Sequence, residues 1–392
     1  MELYSHLLSQ SAVELKPSGI RRFFDLLADM KDVISLTVGQ PDFATPWHIR
    51  QAGIRSLEEG RTYYTSNSGL LEMREEISAY QSRRFGLKYD PKTEIIVTVG
   101  GSEAIDMAVR ALCNPGDEFI IPEPCFVCYT PLVKMAGGVP VTIGLTAENN
   151  FKLTAEELER AITPKTKCLI LAFPNNPTGA TMDADSLAKI AEVVLRHNIA
   201  VISDEIYAEL TYGSKHVSIA SCDGMRERTI VVSGFSKAYA MTGWRLGYSL
   251  APKEITAQML KLHQFGIMCA PTTSQYAAVE ALRNGDGDIE YMKERYDDRR
   301  RLIVDRLNAM GLKCFEPTGA FYVFPDISGF GMTSEEFCRR LLDEQRVAIV
   351  PGDAFGECGE GYARISYAYS VQHIVKALDR IEAFVNTLRA EQ

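Results

Sequence analysis

Residues 229–248 read TIVVSGFSKAYAMTGWRLGY, a short apolar run that ends in a segment rich in serine and glycine. A run of Ile and Val without alternation is typical of a strand buried on both faces, as in a parallel sheet. The serines and glycines that follow predict a loop at the carboxyl end of that strand, which is the edge where open parallel sheets bind ligands. Lys237 and Arg245 lie in this loop, so two positive charges stand where a ligand is expected.

Similar apolar runs recur upstream and alternate with helical patterns. The runs occupy residues 94–99, 118–121, 139–143, 167–172 and 200–203. Residues 102–112 and 183–197 have apolar residues at helical spacing, and Thr154 to Glu157 form a capping box that opens a helix. This alternation predicts an α/β fold, a large domain with a mostly parallel sheet sandwiched by helices.

The C-terminal third has a different pattern, which predicts a smaller α+β domain. Helices are expected over residues 288–310, from Thr333 and over 371–388, with short strands near 321–324 and 346–350. We therefore predict a large domain over residues 45–285 and a small domain over 286–392. Residues 1–44 are predicted to form an N-terminal arm and part of the small domain, because their apolar content is too low to fold alone.

The composition excludes some classes of protein. The chain has 42 basic and 51 acidic residues, a net charge of −9 that argues against a nucleic-acid partner. No run of about eighteen apolar residues is present, so no membrane-spanning helix is expected. The first ten residues do not resemble a secretory signal, which favours a cytoplasmic location.

Nine cysteines are scattered along the chain, and Cys125 and Cys128 have the spacing of a CxxC pair. A zinc site needs a second pair or histidines at a similar spacing, and none is visible. We expect no metal and interpret these cysteines as reduced thiols in the protein interior.

Three other strand ends carry polar groups that suit an anionic, aromatic ligand. Gly101 and Ser102 follow the first run and open a helix, where backbone N–H groups bind anions. Asn176 lies in the PNNPTG loop that follows the run at 167–172. Asp204 ends another buried strand, a position that is costly for a carboxylate without a cationic partner such as a protonated pyridine nitrogen.

The loop SGFSKAYAMTGWRLGY resembles the cofactor-lysine motif of class I aminotransferases, which are pyridoxal-phosphate enzymes of fold type I. The likeness extends from about residue 18 to the C-terminus. The other motifs follow in that family's order: VGQPDF at 38–43, YTSNSG at 64–69, VTVGGSEA at 97–104, PNNPTG at 174–179, SDEIY at 203–207 and YARIS at 362–366. The resemblance implies pyridoxal 5'-phosphate as cofactor and transfer of an amino group between an L-amino acid and a 2-oxo acid.

The resemblance also implies the catalytic residues. Lys237 would carry the cofactor and move the proton of the substrate's Cα. Asp204 would keep the pyridine nitrogen protonated. Tyr207 and Asn176 would donate hydrogen bonds to the cofactor's phenolic oxygen.

The same resemblance implies how the rest of the cofactor is bound. Phe126 would stack on the cofactor ring. The phosphate would bind to Gly101, Ser102 and Arg245 and to a serine, but the choice between Ser233 and Ser236 stays open, because Gly234 replaces a serine that other members often have.

Three further residues are implied to bind the substrate or to join two chains. Arg364 would grip the substrate's α-carboxylate, helped by the backbone of Gly39 and by Asn176. Tyr64 would reach into the phosphate site of a neighbouring subunit. The resemblance therefore implies a homodimer with shared active sites.

The amino-acid substrate is left open by the sequence. Bulky residues expected near the pocket favour aromatic or broad specificity: Phe23, Tyr63, Phe126, Phe321 and Tyr322. Aspartate and an N-acetylated diaminopimelate are alternatives, with Arg21 or Arg22 as a possible cation for a distal carboxylate. A carbon–sulfur β-lyase shares the same motifs. A transcription regulator is disfavoured, since few residues precede the likeness.

Overall fold

The computed structural model describes Tyr4, residues 6–17, Met30 and residues 32–392. The strands are β1 (Ile34–Ser35), β2 (Ile95–Thr98), β3 (Glu118–Glu123), β4 (Val139–Gly144), β5 (Thr166–Ala172), β6 (Ala200–Asp204), β7 (Thr229–Gly234), β8 (Gly247–Leu250), β9 (Tyr322–Val323), β10 (Val347–Ala348), β11 (Val350–Pro351) and β12 (Ala363–Ser366). The α-helices are α1 (Gln10–Glu14), α2 (Trp47–Glu58), α3 (Leu71–Phe85), α4 (Gly101–Leu112), α5 (Tyr129–Met135), α6 (Ala155–Ala161), α7 (Ala184–His197), α8 (Lys253–Gly266), α9 (Thr272–Asn284), α10 (Asp286–Ala309), α11 (Ser334–Gln345) and α12 (Val371–Glu391).

The described residues form a central sheet of seven strands in the order β2-β8-β7-β6-β5-β3-β4. The strands from β7 to β4 run parallel to their neighbours, whereas β8 is antiparallel to both β7 and β2. The predicted α/β class with a mostly parallel sheet is therefore confirmed.

Strand β8 is the element of the central sheet that the sequence did not predict. Its residues, Gly-Tyr-Ser-Leu, include few of the branched side chains that favour strands, yet all four are buried. Gly247 is needed there, because a Cβ atom would lie 2.6 Å from the carbonyl carbon of Gly100. Tertiary packing against its neighbours on either side overrides the weak local preference.

Alternate residues of the strands face two different cores, which places the sheet between two layers of helices. Ile95 and Val97 belong to one hydrophobic cluster, while Ile96 lies in the cluster on the opposite face. Val231 and Val232 divide in the same way. Burial of each such side chain contributes about 1.5–3 kcal/mol to stability, so the unbroken apolar runs specify this three-layer arrangement.

The N-terminal segment packs against the C-terminal third. Strand β1 pairs in parallel with β10, so that Ile34 lies opposite Val347. Leu36 shares a core cluster with Val347 and Ile365. These contacts agree with an arm that completes the small domain, and the boundaries near residues 44 and 285 stay a prediction. No helix in the described part of the chain is long and apolar enough to cross a membrane.

Candidate active site

A cavity of about 410 Å³ lies at the carboxyl ends of β5, β6 and β7. In these parallel strands Ala172 lies beside Asp204, and Lys237 follows the end of β7. Most of the residues predicted from the sequence line this cavity: Gly39, Gly101, Ser102, Phe126, Asn176, Asp204, Tyr207, Ser236, Lys237, Arg245 and Arg364.

Two predicted residues do not line the cavity. Ser233 is buried within β7, and its hydroxyl is directed to the carbonyl of Glu205 at 3.5 Å. Ser236, in the loop that follows β7, lines the cavity instead. These positions favour Ser236 as the serine near a phosphate, and the choice stays a prediction. Tyr64 is 83% exposed on the surface of the single chain.

The Lys237 amine is enclosed by the cavity. Its Nζ donates a hydrogen bond to the Gly39 carbonyl at 2.6 Å. Burial, followed by the positive charges of Arg364 and Arg245, lowers the pKa of Lys237 to about 8. The neutral, nucleophilic form of the amine is therefore far more populated near neutral pH than it is in an ordinary lysine, although the protonated form still predominates there.

The Asp204 carboxylate is held at both oxygens. Oδ2 accepts a hydrogen bond from the Tyr129 hydroxyl at 2.7 Å, and Oδ1 accepts one from the Ile206 N–H at 3.1 Å. Burial raises the pKa of Asp204, while these two hydrogen bonds and the positive charge of Lys237 oppose the rise. The site thus holds a carboxylate that lacks a directly bonded cation.

The Arg364 guanidinium is fixed in place through both of its terminal nitrogens. Nη1 donates to Asn176 Oδ1 at 2.9 Å, and Nη2 donates to the Thr37 carbonyl at 2.5 Å. The rings of Tyr322 and Phe355 flank it, with centroids 4.6 and 4.8 Å from Cζ. Its Nε is buried and has no hydrogen-bond partner among the described residues. Each terminal nitrogen carries a second N–H group, and the side chain lines the cavity, so it suits an incoming carboxylate.

Glycines shape the anion-binding turn at the start of α4. Gly100 has a φ of 77°, and a Cβ atom there would lie 2.6 Å from Nη2 of Arg245. The Arg245 side chain is held by the Thr242 carbonyl, to which Nη1 donates at 2.9 Å. The N–H groups of the first turn and this guanidinium face the same part of the cavity, an arrangement that binds a phosphate group.

The Tyr207 hydroxyl lies 2.8 Å from the hydroxyl of Tyr322. Burial raises the pKa of Tyr207 well above its usual value, so its hydroxyl stays protonated and able to donate. Tyr322 therefore contacts both Tyr207, through its hydroxyl, and the Arg364 guanidinium, through the face of its ring.

The predicted bulky neighbours divide into three groups. Phe126 and Tyr322 line the cavity, and the Phe321 ring lies behind them, 5.8 Å from the Lys237 amine. Tyr63 is 81% exposed. Phe23, Arg21 and Arg22 lie outside the described residues.

Some residues of the site were not predicted from the sequence, chiefly Tyr129 and Thr37. Thr37 acts through its backbone carbonyl, which no sequence pattern reveals. Tyr129 could have been noticed, since it belongs to the same loop region as Phe126 at the carboxyl end of β3.

Among the described residues no group of three or more His, Cys, Asp or Glu side chains could hold a metal ion. All nine cysteines are free, and Cys125 is buried. Burial raises the pKa of both Cys125 and Cys128 well above the usual value, so these thiols are held protonated.

Comparison with known proteins shows the family of the chain. The family model described as aminotransferase class I and II matches residues 31–381. An aspartate aminotransferase of Pyrococcus abyssi (strain GE5 / Orsay) is 47% identical over 371 residues, covering 94% of this chain and 95% of that protein. A Bacillus subtilis (strain 168) protein named probable N-acetyl-LL-diaminopimelate aminotransferase is 47% identical over 380 residues, covering 97% and 96%. The crystal structure of an aromatic aminotransferase from Pyrococcus horikoshii OT3 superposes with a TM-score of 0.90 at 45% identity, covering 94% and 99%.

The chain belongs to the class I and II aminotransferases, with the fold of type I pyridoxal-phosphate enzymes. It is a pyridoxal-phosphate-dependent aminotransferase that acts on an amino acid and a 2-oxo acid. The residues of the cavity fit that cofactor. The glycine-lined turn admits a phosphate, the Asp204 carboxylate suits a cationic ring nitrogen, and the Arg364 guanidinium suits a substrate carboxylate.

Proposed function

We propose that Lys237 is the catalytic base and acid of this aminotransferase, and that Asp204, Tyr207 and Arg364 orient the cofactor and the amino acid around it. The observation that carries the proposal is the enclosed Lys237 amine, which shares one cavity with the Arg364 guanidinium and the Asp204 carboxylate. When bound, pyridoxal phosphate supplies an aldehyde for the amino group and a protonated ring that withdraws electrons from the substrate's Cα.

The side chains then have separate tasks. Arg364 binds the α-carboxylate through the N–H groups of its two terminal nitrogens that Asn176 and Thr37 do not use, and this fixes the direction of the Cα–H bond. Lys237 Nζ would remove the proton from Cα and deliver it to the C4′ carbon of the cofactor, which its pKa of about 8 permits near neutral pH. Asn176 accepts from Arg364 through Oδ1, which leaves its amide N–H groups for the cofactor's phenolic oxygen. Tyr207 donates to the same oxygen.

The phosphate group of the cofactor binds at the start of α4 in this proposal. The backbone of Gly101 and Ser102, the Ser236 hydroxyl and the Arg245 guanidinium all face this part of the cavity. Phe126 lies on the cavity wall, where its ring can stack on the cofactor.

Aromatic or other large L-amino acids are the proposed substrates, with 2-oxoglutarate as the acceptor. Part of the cavity wall that could receive the substrate's side chain is apolar and is formed by Val38, Ile105, Phe126 and Tyr322. Among the described lining residues the cations are Lys237, Arg245 and Arg364, and each has a task already. A distal carboxylate would therefore need a cation from elsewhere.

Single amino acids added to the enzyme without an oxo acid test this proposal. We expect phenylalanine and tyrosine to change the cofactor's absorption spectrum to that of its amino form, at lower concentrations than aspartate.

The Arg364→Lys variant should raise the KM for every amino acid by roughly 10- to 100-fold, because Lys lacks the planar fork. An unchanged KM would remove Arg364 from substrate binding. A preference for aspartate or an N-acetylated diaminopimelate would overturn the substrate class, and pyruvate released from cystathionine would indicate β-elimination.

A homodimer with shared active sites is also proposed. Tyr63, Tyr64 and Phe265 are each more than 80% exposed. Their segments lie together, since Thr272 donates to the Tyr63 carbonyl at 2.8 Å and Asn67 donates to that of Met268. Arg245 at the mouth of the cavity is exposed as well. Exposed aromatic side chains beside an incomplete phosphate site favour a second copy of this chain as the cover.

Mixing two defective variants tests the shared site. A Tyr64→Ala chain retains Lys237, and a Lys237→Ala chain retains Tyr64. If Tyr64 serves the neighbouring site, an equimolar mixture of the two variants recovers roughly a quarter of the wild-type activity, because one of the two sites in each hybrid is complete and about half of the dimers are hybrids. Mixtures no more active than the Tyr64→Ala variant alone would contradict the arrangement.

A cytoplasmic location is the last part of the proposal. It is supported by the nine free cysteines, since reduced thiols in this number are typical of a reducing compartment.

A further inference from the structure

Tyr129 contacts two residues of the site but is not among those predicted from the sequence. It begins α5 and is 2% exposed. Its hydroxyl donates to Asp204 Oδ2 at 2.7 Å. Its ring meets the Phe126 ring edge-on, with centroids 6.1 Å apart. One side chain therefore touches both the carboxylate beneath the cofactor site and the aromatic residue of its wall.

The hydrogen bonds of Asp204 define the plane of its carboxylate. Tyr129 binds one oxygen and the Ile206 N–H binds the other. The terminal torsion of an Asp side chain has a broad energy minimum, so a carboxylate with a single donor would rotate easily. With both donors in place, the lone pairs that stay free are held in one direction.

We propose that Tyr129 is a positioning residue for the cofactor, because its hydroxyl holds the Asp204 carboxylate in the orientation that receives a protonated ring nitrogen. The inference rests on the role proposed above for Asp204. It assigns to Tyr129 a task that depends on the ring nitrogen alone, and not on the phosphate or the substrate.

The charge balance around Asp204 agrees with this task. Burial raises the pKa of Asp204, and the Tyr129 hydrogen bond is the largest contribution that opposes the rise. Lys237 also favours the charged carboxylate, whereas the neighbouring Glu205 disfavours it. Loss of the hydroxyl would leave a buried anion with one fewer donor.

A purely structural role for Tyr129 makes a different prediction. The ring lies in a hydrophobic cluster with Ile105, Ile202 and Val232. The Tyr129→Phe substitution keeps that ring and its contact with Phe126, and it removes only the hydroxyl. If the role of Tyr129 were purely structural, loss of its hydroxyl would lower the stability of the fold, or it would weaken ligands with and without the ring nitrogen equally.

The test compares two ligands on the full-length chain after its cofactor has been removed. One is pyridoxal phosphate, and the other is the analogue in which a C–H group replaces the ring nitrogen. Calorimetry should show that Tyr129→Phe weakens pyridoxal phosphate roughly tenfold, as for loss of a hydrogen bond to a charged group, and changes the analogue by less than about twofold.

The matched control is Tyr80→Phe. Tyr80 is also buried, and its hydroxyl donates to the carboxylate of Glu209, which does not line the cavity. This variant loses the same chemical group from the same kind of partner, and we expect it to bind both ligands as the wild type does. Thermal melts of both variants measure what the lost hydroxyl costs the fold.

Three outcomes separate the possibilities. Equal weakening of both ligands by Tyr129→Phe, or weakening of neither, would overturn the positioning role. Asp204→Asn, measured beside it, should abolish the preference for pyridoxal phosphate over the analogue. If Asp204→Asn keeps that preference, the proposed role of Asp204 itself fails. If Asp204→Asn loses the preference and Tyr129→Phe keeps it, the failure concerns Tyr129 alone.

Discussion

Lys237→Ala is expected to abolish turnover, with a loss on the order of 10⁴-fold or more in kcat. In the proposed mechanism the variant lacks both the amine that carries the cofactor and the group that moves the Cα proton, and general acid–base catalysis alone contributes about 10²–10⁴-fold. Steady-state assays with a saturating amino acid and 2-oxo acid measure this loss. Lys189→Ala is the matched control, because Lys189 is an exposed lysine of α7, and it should keep wild-type rates. Multiple turnovers by the Lys237→Ala variant would refute the assignment.

The same variant carries a signature in the pH dependence of stability. The pKa of Lys237 in the folded, cofactor-free chain is about 8, below the value of 10.5 for an ordinary lysine. Between these two values the unfolded chain binds more protons than the folded one, so stability rises with pH. Relative to Lys237→Ala, the wild type should therefore gain stability as the pH increases from about 8 to about 10.5. Denaturant titrations at several pH values measure the difference in free energy of unfolding between the wild type and the variant. A difference that does not change with pH would mean that the Lys237 amine is exposed to solvent in the folded chain.

Asp204→Asn is expected to lower kcat roughly 10²- to 10³-fold while the fold is retained, a magnitude typical of removing one electrostatic group from an active site. An amide of the same shape can accept at only one of the two positions to which Tyr129 and Ile206 donate, and it cannot hold a proton on a cationic ring nitrogen. Single-turnover kinetics, with circular dichroism as the check on folding, measure the effect. Asp106→Asn serves as the control, since Asp106 lies on α4 in an exposed ion pair with Arg110. Near-normal rates for Asp204→Asn would remove this carboxylate from the mechanism.

Much of the fold was predicted because its signals are local. The runs that became β3, β5, β6 and β7 are short and apolar without interruption, and the capping box at Thr154 is formed as its spacing indicates. Strand β8 was not predicted, since its burial comes from neighbours distant in the sequence. Its antiparallel direction also follows from the path of the chain, which no local pattern reveals.

The candidate site shows the same division. The loop after β7 identified Lys237 and Arg245, and the ends of β5 and β6 identified Asn176 and Asp204, because parallel strands end at one edge of the sheet. The preference for Ser236 over Ser233 required the position of each side chain.

The sequence by itself determined the α/β class and the family and singled out Lys237 as the candidate lysine, since these depend on periodicity and on motifs that are contiguous in the chain. Only the tertiary structure decided that the Tyr129 hydroxyl reaches Asp204, that the hydroxyls of Tyr322 and Tyr207 meet, and that Asn176 and Thr37 hold the Arg364 guanidinium. These contacts join residues far apart in the sequence. Their geometry depends on strand order, side-chain direction and burial, which emerge only when the layers pack together.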